Sequence, residues 1–189
     1  MDLKKLENQI NIIKNKLRVE KSDEVIRDTK SLIKKFSDQQ ILYNILSLAY
    51  QQKGENDKSI DLLTSALKKS PKNIFFLNNM GASHYNKKNL VEAEYYFERA
   101  LEINPNYINA LNNLGNLKKD LDLVDEAKNF YKKSIKLNDN VMETHFNLGV
   151  LYEQSGHFEK SLYHYKKTLE INPKFTKADH SIAMMTEYS

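Results

Sequence analysis

Apolar residues near the start of the chain return at three- and four-residue steps, as in Leu3, Leu6, Ile10, Ile13 and Leu17. That spacing lines one face of an α-helix. Ser22 to Glu24 opens a second helix that runs toward Phe36. From residue 40 onward a longer order appears. Pro71, Pro105 and Pro173 are separated by 34 and then 68 residues, twice 34, and a fixed period of this size signals a repeated supersecondary unit. Gapless windows follow at 40–73, 74–107, 108–141 and 142–175, with a degenerate one at 6–39 and a fragment from 176.

Each window reads as two antiparallel helices. The first carries a small residue where the second crosses it, at Ser47, Gly81, Gly115 and Gly149, with Ala183 in the last fragment. The second answers with Ser59, Ala93, Ala127 and Ser161. Small residues on both sides allow axes to approach toward the short end of the roughly 8–10 Å range. Bulkier positions fill the layers between: Leu46, Met80, Leu114 and Leu148 on first helices, and Leu63, Phe97, Tyr131 and Tyr165 on second helices. Gly54 and Gly156 fall at the turn inside a window, where a positive φ costs glycine little. Asn89 with Glu92 reads as an N-cap with its capping-box partner. The prolines stand just past each second helix, where they break no helical hydrogen bond. Asp139 takes the proline position of the fourth window, so that junction is expected to be less rigid.

These phases resemble the tetratricopeptide repeat family across nearly the whole chain. The runs "LNNMGASHY…VEAEYYFERALEINP" and "HFNLGVLYEQSGHFEKSLYHYKKTLEINP" carry the resemblance most fully, and "LNNLGNLKKD" departs from it at Lys118. The resemblance implies an all-α fold, a right-handed α-solenoid of about five 34-residue helix pairs in a single array over 1–189. A lone capping helix, 176–189, is expected to close it, with Ala178 and Ile182 facing back. Ile13 occupies the small-residue phase of the first window, which is expected to hold its two helices farther apart.

Composition narrows the function. The chain has 189 residues with 29% charged, 40% hydrophobic and no Cys or Trp. Lack of Cys excludes structural disulfides, thiolate zinc sites and cysteine nucleophiles, and fits a reducing compartment, the cytoplasm. Glu7, Asn8 and Gln9 follow Lys4 and Lys5 where a secretory signal needs an apolar run, so no export is expected. The most apolar stretch, Ile41 to Tyr50, is far shorter than the roughly 20 residues of a membrane span. The net charge of +4 comes from 26 Lys and 3 Arg against 25 acids, interspersed along the chain. Lysine pairs such as Lys118-Lys119, Lys132-Lys133 and Lys166-Lys167 raise a nucleic-acid reading. Scarcity of Arg, the better reader of phosphates and bases, argues against it.

Every Gly and Pro is accounted for by the repeat, so no phosphate-cradling loop remains. His84, His145, His157, His164 and His180 make no i, i+4 pair with a carboxylate inside one predicted helix, and no metal site, cofactor or catalytic residue is expected. Glu92, Glu94, Glu98 and Glu102 alternate with basic neighbours as a solvated helix face does. Tyr95, Tyr96 and Phe97 read as packing.

In stacked helix pairs the first helices line the concave side. Asn79, Asn113 and Asn147 recur there at 34-residue spacing, beside Asn44, Asn78 and Asn112. A primary amide offers both donor and acceptor, which suits the main chain of an extended peptide whatever its side chains. The row is similar to the asparagine ladder of the O-linked N-acetylglucosamine transferase superhelix. Phe75, Tyr85, Asn86, Asn109, Asn116, Lys119 and Gln154 complete the candidate groove. Three Asn making two bonds each, at about 0.5–1.5 kcal/mol per bond, predict affinity near micromolar after ordering costs. At the phases where a clamp for chaperone tails carries Lys and Arg, this groove has Asn, Ile and Phe. The expected function is therefore a non-catalytic protein or peptide interaction module. The ending "NPKFTKADHSIAMMTEYS" is also similar to junctions at which bacterial arrays pass into sulfotransferase or glycosyltransferase domains. The alternative is thus a substrate-recruiting segment of a larger enzyme. Open ends of repeat arrays add self-association through the terminal helices as a further expectation.

Overall fold

The computed structural model describes residues 3–187, with side chains over 4–185. Leu3's side chain, Met1 and Asp2 of the expected array, and Tyr188 and Ser189 of the expected capping helix lie outside the described residues. Those described form eleven α-helices and no strand. The chain divides into two compact units, residues 1–105 and 106–189. The first holds α1 (Leu3–Arg18), α2 (Ser22–Ile33), α3 (Gln40–Gln52), α4 (Asn56–Lys69), α5 (Ile74–Asn86) and α6 (Leu90–Ile103). The second holds α7 (Ile108–Asp120), α8 (Val124–Leu137), α9 (Met142–Gln154), α10 (Phe158–Ile171) and α11 (Thr176–Glu187). Helices α3, α5, α7, α9 and α11 begin 34 residues apart, as do α2, α4, α6, α8 and α10.

The glycines of first helices are there because aromatic rings lie across them. A Cβ on Gly81 would stand 2.6 Å from the Phe97 ring, one on Gly149 would stand 2.6 Å from the Tyr165 ring, and Gly115 is covered in the same way by Tyr131. All three rings are essentially fully buried. At the matching positions of α3 and α4 the chain has Ser47 and Leu63, a larger residue facing a smaller one, and both are fully buried. In the first unit Leu6, Ile10 and Ile13 of α1 pack with Val25 and Leu32 of α2 and with Leu42, Ile45 and Ala49 of α3. In the second, Ala178 of α11 is fully buried, while Ile182 is half-buried.

The turn inside each window repeats in backbone, not in residue type. Gly54 and Gly156 have φ of +74° and +72°, and the equivalent Glu20, Lys88 and Asp122 have φ of 57°, 64° and 60°. The left-handed conformation is therefore not reserved to glycine here. The residue after it closes the turn, with N–H bonds from Lys21 to Lys16, Glu55 to Tyr50, Asn89 to His84, Leu123 to Lys118 and His157 to Tyr152, all at 2.8–3.1 Å. This six-to-one bond is the mark of a Schellman ending. It corrects the expected capping box: Asn89 makes no side-chain cap bond, and its own N–H, the donor that Glu92 would take, is already given to the His84 carbonyl. Asn73 is a genuine cap, its Oδ1 accepting from the N–H groups of Phe75 and Phe76.

Candidate functional site

The asparagines of the first helices bond to one another. In the first unit Asn79 of α5 donates both N–H groups of its amide, one to Asn44 Oδ1 and one to Ser47 Oγ of α3 at 3.1 Å. Its Oδ1 accepts from Asn78 at 3.4 Å. Gln51 Nε2 donates to the Asn79 carbonyl at 2.7 Å and to Ser83 Oγ at 2.9 Å. Ser83 Oγ in turn lies 2.8 Å from Ser59 Oγ. Asn78 and Asn79 are 5% and 6% exposed, so the amide pair braces α5 against α3. The same bonds fix the orientation of Asn44. Its Oδ1 points to Asn79, and its own N–H groups have no protein acceptor among the described residues.

Beside Asn44 the first unit opens a cleft of about 500 Å³. Ile41, Ile74, Phe75, Phe76 and Ile103 supply apolar wall, and Gln40, Asn44, Lys72 and Asn73 the polar rim. Phe75 stands 51% exposed there. The Asn73 cap, which also donates to Gln40 Oε1 at 2.7 Å, fixes the first turn of α5 and with it the position of Phe75. Elsewhere in this unit Tyr85 is half-buried, with Lys88 Nζ 5.6 Å from its ring centre.

In the second unit Asn147 of α9 donates to Asn116 Oδ1 of α7 at 2.9 Å and accepts from Lys119 Nζ at 2.9 Å. Asn116 Oδ1 also accepts from the Tyr131 hydroxyl at 2.6 Å. Asn112 Oδ1 accepts from Thr144 Oγ1 at 2.9 Å. Asn113 is half-buried. Burial holds the Lys119 ammonium below its ordinary range. Thus Asn44 meets Asn79, and Asn116 meets Asn147. Ser47 is marked in the sequence only as a small packing residue, and Gln51 and Thr144 carry no mark, because residues on different helices, about 30 positions apart, share no local signal.

A second polar feature is equally silent in the sequence. His145 and His164 are 0% and 8% exposed. His145 Nε2 lies 2.9 Å from the backbone oxygen of Asp139 and 3.2 Å from its carboxylate. The junction without proline is thereby tied by a side chain. His164 stacks on Tyr152, with ring centres 5.5 Å apart. Burial and then His145 push His164 down to about 4. Among the described residues no three His, Asp or Glu approach closely enough to hold a metal ion, and no helix is long and apolar enough to cross a membrane.

Family models described as tetratricopeptide repeat match residues 41–73, 74–107, 96–129 and 143–175. Among curated proteins no relative matches. Solved structures share the fold. TTC0263, described as a thermophilic TPR protein of Thermus thermophilus, superposes with a TM-score of 0.82 at 17% identity, over 94% of this chain and 97% of that one. MamA gives 0.66 at 21% identity, over 94% and 98%. YrrB, described as a TPR protein with an unusual peptide-binding site, gives 0.63 at 20% identity, over 93% and 90%.

Proposed function

Because the chain belongs to the tetratricopeptide repeat family, we propose that it is a non-catalytic interaction module of the cytoplasm that holds an extended segment of a protein partner. The observation that carries this reading is the cleft of the first unit, where an exposed aromatic ring and oriented amide donors stand side by side. The apolar wall suits one bulky side chain of the segment. The N–H groups of Asn44 suit a main-chain carbonyl next to it. Asn79 serves as the brace that aims Asn44, and its own donors are already engaged. Asn78 and Tyr85 belong to the first helices of the same unit, and Asn112, Asn113, Asn116, Asn147 and Lys119 give the second unit polar first-helix residues of its own. YrrB, described with a peptide-binding site, has the same fold.

Magnitudes limit what the cleft does alone. Burying one large apolar side chain contributes about 1.5–3 kcal/mol, and each amide bond adds about 0.5–1.5 kcal/mol. Micromolar binding requires about 8 kcal/mol net. The segment therefore has to engage several first-helix residues beyond Phe75 and Asn44.

The test is a peptide-display selection on the wild-type chain beside Phe75→Glu. Phe75 is half exposed, so the variant is expected to retain helicity and melting temperature. Enriched peptides should carry a bulky apolar residue and lose affinity for the variant. Equal affinity for both proteins would remove the cleft from the reading.

A further inference from the structure

Tyr152 of α9 is surrounded by lysines that no carboxylate neutralises. The ammonium groups of Lys128 and Lys132 on α8 lie 5.2 and 5.9 Å from its ring centre, and that of Lys160 on α10 lies 5.5 Å away. Lys128 is only 7% exposed and donates to Ser155 Oγ at 2.7 Å. The π-face of a tyrosine attracts cations without cancelling their charge, and a buried ammonium is ordinarily paired. None of these three lysines makes an ion pair among the described residues. The nearby acids are turned elsewhere: Glu126 to Lys118 at 2.9 Å, Glu153 to the Tyr165 hydroxyl at 2.5 Å, and Asp139 to His145. Asp125 makes no ion pair among the described residues.

The first unit contains the same frame with a carboxylate built into it, on Glu55. Three repeats back, at the position of Tyr50, Lys30 and Lys58 lie 5.6 and 5.9 Å from the ring centre. There Lys58 meets the Glu55 carboxylate at 2.9 Å, and Lys53 meets Asp23 at 2.5 Å and Glu55 at 3.4 Å. In the second unit Glu55 is replaced by His157, whose ring centre is 6.1 Å from that of Tyr152, and Ile26 is replaced by Lys128. One carboxylate has been removed and a third lysine brought to the ring.

We infer that the lysines around Tyr152 receive carboxylates from an acidic segment of a protein partner, in the role that Glu55 plays internally beside Tyr50. Glu55 fixes the class of ligand: a carboxylate on a peptide, approaching from the His157 side. The Tyr152 hydroxyl, which has no protein partner among the described residues, adds a donor. This surface lies on α8, α9 and α10 and is independent of the cleft beside Phe75.

The experiment titrates a fluorescent tetraglutamate peptide, with tetraglutamine as control, into the full chain at low salt. Wild type is expected to bind tetraglutamate and not tetraglutamine. His157→Glu, which restores the internal carboxylate, and Lys132→Gln with Lys160→Gln are each expected to weaken binding by at least about tenfold. Lys30→Gln with Lys58→Gln removes the same formal charge from the first unit and is expected to leave binding unchanged. Circular dichroism verifies that each variant is folded. Absence of binding, equal losses in the two lysine pairs, or undiminished binding to His157→Glu would overturn the inference. So would retention of inorganic phosphate by a chain that ignores tetraglutamate. A negative result here leaves the Phe75→Glu comparison untouched.

Discussion

His145 and His164 face each other through their Nδ1 atoms at 3.0 Å, buried between α9 and α10. The backbone oxygen of Asp139 can only accept, so His145 Nε2 is the donor toward it. In the neutral tautomer His145 Nδ1 then accepts, and His164 Nδ1–H donates. A further proton would go to His164 Nε2. Burial, then the neighbouring His145, opposes the charge it brings, so His164 is held uncharged at neutral pH.

Stability is therefore expected to depend on pH in a defined window. His164 binds its proton near pH 4 when folded and near 6.5 when unfolded. The contribution is complete above pH 6.5 and falls as pH drops toward 4, by up to about 3 kcal/mol. Replacing the pair by His145→Leu with His164→Phe, the residues found at Leu111 and Phe130, should flatten most of that slope. Urea denaturation between pH 4 and 7 measures it. Burial also lowers His84, so a smaller slope of the same sign remains.

Gly149→Ala is expected to destabilise the chain by about 1–3 kcal/mol, because the added methyl meets a closed aromatic layer. Tyr165→Leu alone should also destabilise it, by opening a cavity. Gly149→Ser combined with Tyr165→Leu reproduces the Ser47 and Leu63 combination and should cost less than the sum of its parts. Denaturant midpoints of Gly149→Ser, Tyr165→Leu and the double variant decide this, and simple additivity would refute the pairing.

At the turns the sign reverses. Lys88→Gly should raise stability by about 1 kcal/mol, since a lysine in the left-handed region carries a steric cost that glycine avoids. Asp122→Gly should gain less, because aspartate tolerates this region through local hydrogen bonds. Gly54→Ala should lose about 1 kcal/mol although nothing lies within 4 Å of the added carbon. Thermal melts of the three variants check all of these signs.

Asn79→Ala is expected to cost about 1–3 kcal/mol, because it strands Asn44 and leaves buried polar atoms behind. Phe75→Ala should leave the melting temperature unchanged. A binding defect in Asn79→Ala therefore has to be read with its stability, and an unaltered melt for that variant would show that the brace contributes nothing.

Repeat length, helix order and the glycine phases were legible in the sequence because each is set by sterics that recur every 34 residues. Depth was not legible. Phase placed Asn79 on the first-helix face, but Ser47 and Asn44 bury it, and that depends on the neighbouring helix. The His145–His164 pair is separated by 19 residues and joins two helices whose crossing alone brings the rings together. Lys128 carries no mark in the sequence, because Tyr152 and Ser155, which meet its ammonium, lie on the next helix and its cap. The turn at Lys88 and Asp122 was legible only at glycine, since residue type marks a positive φ where glycine happens to occupy it.

The ring laid across each first-helix glycine sets where such a chain can recombine. Crossovers at junctions such as 73/74 move Gly81 and Phe97 together and transfer a self-consistent pair. Crossovers at the intervening turn separate them, joining Ser47 to an incoming aromatic ring or Gly81 to an incoming leucine. One chimera is overfilled and the other hollow. Duplication and shuffling of these segments are thus confined to whole helix pairs by a contact inside each one.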